Sequence, residues 1–148
     1  MWGFIVIFVA LLLLLTTSGC GTLSALLNDL APNTHVVLKN DADFDVSVVM
    51  YIYDQQEAPR DVITTLGERI EVTVPAGEMT NITRSCHEFQ AVVIDDADLL
   101  VIGSAGPEAN SDVLRDGSDF GCRDVITFTF DHSGAVVDFD VTADVEDR

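Results

Sequence analysis

The chain has 148 residues, 25 of them acidic and seven basic, for a net charge of −18 at pH 7. A surface of that sign repels nucleic acid and anionic lipid headgroups, which removes both as direct ligands of the folded domain. The length suits one domain with its own core, and the recurrent Val, Ile and Phe exclude a disordered chain.

Residues 2–15 form an apolar run without charge or proline, followed by Thr16-Thr17-Ser18-Gly19-Cys20. The run falls short of the roughly 20 residues that a spanning helix needs and fits the hydrophobic region of a signal peptide. This end of the chain resembles the signal peptide of a bacterial lipoprotein, with Thr17-Ser18-Gly19-Cys20 in the place of the lipobox. The resemblance covers residues 1–20 only. It implies export, cleavage of residues 1–19, and acylation of Cys20 as the new N-terminus, leaving the domain tethered in the cell envelope. Gly21 after the cysteine implies the outer membrane. Two features depart from the family pattern: Thr17 stands where leucine is usual, and Met1 alone forms the n-region. A plain cleaved signal or an uncleaved anchor running on through Leu27 is the alternative. With Cys20 taken by lipid, Cys86 and Cys122 remain as a disulfide pair for an oxidising compartment.

Residues 20–33 read as a tether or short helix, since Leu23, Leu26, Leu27 and Leu30 recur at helical spacing. From residue 34 the period falls to two. Residues 44–53 alternate best: Phe44, Val46, Val48, Met50 and Ile52 share one face, and Val49, Tyr51 and Tyr53 make the other apolar too. This strand is expected to be central and partly covered on both sides. Further strands are expected at 35–38, 62–66, 69–74, 79–84, 89–95, 99–102, 125–130 and 135–141, with turns at the Gly, Pro and Asp clusters between them. The pentapeptide Arg60-Asp61-Val62-Ile63-Thr64 recurs at Arg123-Asp124-Val125-Ile126-Thr127 and reads as two strands entered in the same way. Residues 103–121, rich in Gly, Asp and Ser, read as one long irregular loop. The expected fold is an all-β, antiparallel β-sandwich, immunoglobulin-like or related, of eight or nine strands over residues 34–142, with a frayed tail at 143–148.

Catalytic motifs are weak. Gly103-Ser104-Ala105-Gly106 is not a nucleophile elbow. Cys86, His87 and Cys122 do not have the spacing of a zinc module. Acidic knots at Asp41/Asp43/Asp45, Asp95/Asp96/Asp98 and Asp112/Asp116/Asp119 supply the hard oxygen ligands that calcium takes, although none follows the twelve-residue calcium loop. The primary expectation is a lipid-anchored binding or envelope-structural module without catalysis or cofactor, facing an envelope protein or polysaccharide. The alternative is a calcium-dependent carbohydrate binder or a hydrolytic enzyme using the acidic loops, with Asp95, Asp96, Asp98 and Asp116 as calcium ligands.

Overall fold

A computed structural model describes residues 32–102, 104–132 and 138–147. Cys20, the signal segment and the expected helix before residue 31 lie outside the described residues. So do Ser133 and Gly134 of the expected last turn.

Two sheets pack face to face, as the alternating sequence requires. The first has the order β4-β1-β8-β9, with β1 at Asn33–Asn40, β4 at Met79–Ser85, β8 at Val125–His132 and β9 at Phe139–Glu146. The second has the order β3-β2-β5-β6, with β2 at Val46–Tyr53, β3 at Glu68–Val74, β5 at Ala91–Val101 and β6 at Ser104–Ala109. The two-residue strand β7, Leu114–Arg115, pairs with the start of β5. Neighbours run antiparallel except β1 and β8, which are parallel with Val36 beside Ile126 and Leu38 beside Phe128.

The core lies between the sheets. Val36 and Leu38 of β1, together with Ile126, Phe128 and Phe130 of β8, meet Val46, Val48, Met50 and Ile52 of β2 and Val92, Ile94 and Leu99 of β5. At the end of β1, Asn40 is fully buried. Its amide donates to the carbonyls of Phe44 and Val74 at 2.9 Å each, and its Oδ1 accepts the Ala42 N–H at 2.9 Å. Every polar atom of that side chain is therefore used, which a buried amide needs to avoid a desolvation cost of about 1–3 kcal/mol.

As expected, β2 is central and apolar on both faces. Its outer side chains Tyr51 and Tyr53 join Ala91 and Val93 of β5 under a second, smaller cluster completed by Ala58, Val62, Ile63 and Val113.

Four expectations are corrected. Residues 62–66 are not a strand: Arg60–Leu66 forms helix α1, whose Ile63 is buried on the outer face of the second sheet. The helix stops at Gly67, where a Cβ would stand 2.5 Å from the Ile63 carbonyl oxygen and 2.8 Å from that of Ile52. Residues 96–98 do not separate two strands. They belong to β5, whose pairing with β2 slips by one residue between Asp96 and Ile94. Asp95 is the extra residue of that bulge, and it resets the phase so that Ile94 and Ala97 both face the core.

Residues 103–121 are not one irregular loop either. Strands β6 and β7 run beside β5, and between them Ser111 exchanges hydrogen bonds with Ile94, donating its N–H to the Ile94 carbonyl at 3.0 Å and accepting the Ile94 N–H at its Oγ at 2.9 Å. Gly106 and Pro107 suggest a loop by composition, yet both suit an edge strand, where a missing N–H leaves no partner unpaired. Last, β9 runs on to Glu146, paired with Val125, through most of the segment expected to fray.

Candidate functional site

Strand register sorts the loops of the domain between two poles. At one pole the chain enters β1: the Cys86 N–H donates to the Pro32 carbonyl at 3.0 Å, and Asn33 pairs with Ser85. Cys86 follows β4 and Cys122 precedes β8, the two strands that flank β1. Their sulfurs are bonded, with a Cα–Cα distance of 5.3 Å and a sequence separation of 36. The disulfide thus joins the neighbours of β1 at the point where the chain enters the sheet. Beneath it the buried Thr34 hydroxyl donates to Cys86 Sγ at 3.6 Å. The Asp124 carboxylate takes the Gly121 N–H at 2.6 Å and fixes the turn that carries Cys122. The cysteine pairing expected from the sequence is the one found.

The outer face of the second sheet divides into a covered and an open half. Over the covered half, α1 and the segment before it are clamped to the 110–116 stretch by two arginines. The Arg60 guanidinium donates to the Ser111 carbonyl at 2.6 Å and pairs with Asp95 at 3.2 Å. Arg115 donates to the carbonyls of Gln56 and, at 2.9 Å, Ala58, while the Gln56 amide donates to the Asp116 carbonyl. Beside this cover lies an open cleft of about 460 Å³, lined by Tyr53, Asp54, Leu66, Glu68 and Glu88 among others. Arg84 sits against Glu68 and holds its carboxyl below the usual carboxylate range, against an opposing effect of burial.

The open half is acidic. Val49 lies between Glu71 and Asp96, and Ser47 between Thr73 and Asp98, which in turn faces Glu108 across β6. Burial raises the Asp96 pKa, and the charges of Asp98, Glu108 and Asp95 raise it further.

The proposed calcium ligands are only partly brought together. Asp96 and Asp98 are neighbours on the open face, but Asp95 is turned to Arg60 at the bulge. Asp116 is remote: its N–H donates to the Gln90 carbonyl, and from there to Asp95 β5 extends roughly 16 Å at the rise of a strand. Among the described residues, no group of three or more His, Cys, Asp or Glu side chains is placed to hold a metal ion. The histidines are dispersed. His35 Nδ1 lies 3.0 Å from Thr83 Oγ1, His132 Nε2 accepts the Asp43 N–H at 3.3 Å, and His87 lies in the turn after Cys86. The arginine clamps and Glu108 were missed by sequence reading. The signal for the clamps was the scarcity of cations, since each of seven in so acidic a chain has many carboxylates and carbonyls to meet.

No protein-family model matches the chain, and no curated protein is similar to it in sequence. Solved structures are similar to it at low identity. A protein from Eubacterium rectale is 10% identical, with 75% of this chain and 87% of that one covered and a TM-score of 0.45. The type VI secretion lipoprotein TssJ1 from Pseudomonas aeruginosa is 10% identical over 80% of this chain and 98% of its own, with a TM-score of 0.44. A non-hemolytic pneumolysin from Streptococcus pneumoniae is 11% identical over 80% of this chain, with a TM-score of 0.45, and the chain spans only 24% of that protein. Likeness at this level carries no argument about activity.

Proposed function

We propose that the chain is a lipid-anchored, extracytoplasmic module that binds or supports components of the cell envelope and performs no catalysis. The observation that carries this reading is the bond between Cys86 and Cys122. It leaves Cys20 as the one cysteine of three outside that bond, at the end of Thr17-Ser18-Gly19-Cys20 and behind the apolar run. A structural disulfide belongs to an oxidising compartment, and a chain bound there needs a signal of the kind that residues 1–20 resemble. Anchoring by lipid also suits a domain whose charge gives it no electrostatic hold on a membrane, because stable attachment through acyl chains needs no basic patch. The non-catalytic reading is supported by the histidines, which lie apart, with His35 bonded to Thr83 and His132 to the loop at Asp43, and by the arginines that clamp loops. Its partners are the membrane through the anchor, and an envelope protein or polysaccharide at the exposed surface.

Mass spectrometry of the native protein tests this directly. The expected N-terminus is acylated Cys20, and Cys20→Ser moves the protein from the membrane to the soluble fraction. A chain that begins at an unmodified Met1, or a Cys20→Ser variant that stays in the membrane, overturns the reading.

A further inference from the structure

The pole opposite Pro32 carries an apolar residue that the fold neither buries nor favours. Val101 pairs with Ser104, which puts Ile102 at the tip of the hairpin between β5 and β6. Ile102 is 94% exposed and has a φ of 55°. Positive φ at this point of a tight hairpin suits Asn, Asp or Gly, whereas a β-branched side chain is strained there. Isoleucine therefore costs the folded domain twice, in backbone conformation and in apolar surface left in water. Strained residues of this kind cluster at ligand-binding and switch sites.

The surroundings narrow the ligand. The same pole carries Met79, 63% exposed and placed beside Lys39 in the register of β1 and β4. Asp45 lies against the base of the hairpin, its carbonyl accepting the Leu100 N–H at 2.8 Å and its carboxylate the Ala76 N–H at 3.0 Å. Asp41, Asp43 and Glu78 are exposed at the same pole, and Lys39 is paired with Asp41 at 2.6 Å. Ile102 and Met79 thus share this pole with several exposed carboxylates. Anionic lipid is repelled by these carboxylates, and so is a second copy of a chain with a net charge of −18. The geometry points to a docking surface at Ile102 and Met79 for a protein partner that offers an apolar pocket rimmed by Lys or Arg.

This deepens the binding-module reading and rests on it, and one variant separates stability from binding. Ile102→Asn suits the left-handed backbone and removes the apolar contact. In the full-length chain in its native cells, a photo-crosslinking residue at Met79 is expected to yield one discrete adduct with another protein. The same residue at Thr142, on the outer edge of β9, is expected to yield none. Ile102→Asn should cut the Met79 adduct at least about tenfold, as loss of a central apolar anchor does, while leaving the melting temperature unchanged or higher. Glu78→Lys should weaken the adduct as well. An adduct indifferent to Ile102→Asn, an adduct with lipid or with a second copy, no adduct at all, or a lower melting temperature for Ile102→Asn overturns the inference. Anchoring is scored separately by fractionation, so an acylated, membrane-bound chain without the adduct counts against this surface alone.

Discussion

Residues 60–64 and 123–127 are the same five amino acids, Arg-Asp-Val-Ile-Thr, yet the first copy opens helix α1 and the second leads into strand β8. Both isoleucines, Ile63 and Ile126, are fully buried, so the pentapeptide supplies an apolar residue to a core in either conformation. What differs is the context. Before the first copy, the Pro59 carbonyl accepts the N–H groups of Val62 at 3.0 Å and Ile63 at 3.1 Å, which closes the first turn of the helix. After it come Thr65, Leu66 and Gly67, with no alternation for a sheet to use. The second copy follows a turn locked by the disulfide, and Phe128 and Phe130 continue its period of two into the core. On one side it lies against β1 and on the other against β9. Five β-branched-rich residues favour a strand by propensity, and tertiary packing overrides that preference in the first copy.

The contrast can be broken from the second copy first. Cys86→Ser and Cys122→Ser are each expected to destabilise by about 4 kcal/mol, the loop-closure entropy for a separation of 36 residues, and the double variant should be no worse than either. Urea unfolding measures this, and hydrogen exchange should show the loss of protection centred on residues 123–127 and sparing 60–64. The same substitution at the first residue of each copy should then have opposite signs. Arg60→Gly removes the donor to the Ser111 carbonyl and costs about 2 kcal/mol. Arg123 has a φ of 84°, so Arg123→Gly relieves strain and should stabilise by up to about 1 kcal/mol.

The smallest effect lies next to the ion pair that Arg60 makes. Because the folded state raises the Asp96 pKa, it binds that proton more tightly than the unfolded chain does. The resulting stabilisation is present below the ordinary carboxylate value of 3.8 and is lost as pH rises through the folded-state value. At neutral pH the Asp96 charge is therefore a liability. Asp96→Asn should raise the melting temperature slightly at pH 7, and the gain should vanish in acid, as a pH series of thermal melts would show. A gain that persists in acid would mean that packing, not charge, is responsible.

Much of the architecture was legible where one period held along a strand. The alternation in β2 identified both its core face and its partly covered outer face, and counting cysteines identified the disulfide. Legibility failed where local composition and pairing disagree. Asp96-Ala97-Asp98 has the composition of a turn, but a one-residue bulge at Asp95 carries these residues through as strand. Gly106 and Pro107 suggest a loop, yet an edge strand tolerates both. The acidic knots looked alike in sequence, and only the path of β5 shows that Asp116 stands far from Asp95. Ile102 was not singled out, because its exposure and backbone strain exist only once the hairpin has formed.

The parallel pairing of β1 with β8 has a consequence for the order of assembly. Any chain made from its N-terminus produces Val36 long before Ile126, so one side of β1 waits for nearly the whole domain to emerge. Meanwhile β2, β3 and β5 follow closely in the chain and can zip together early, as contacts of short sequence separation do. The first sheet is thus the last to close. A nascent molecule caught in between would show the unsatisfied edge of β1 to any chaperone that recognises extended backbone.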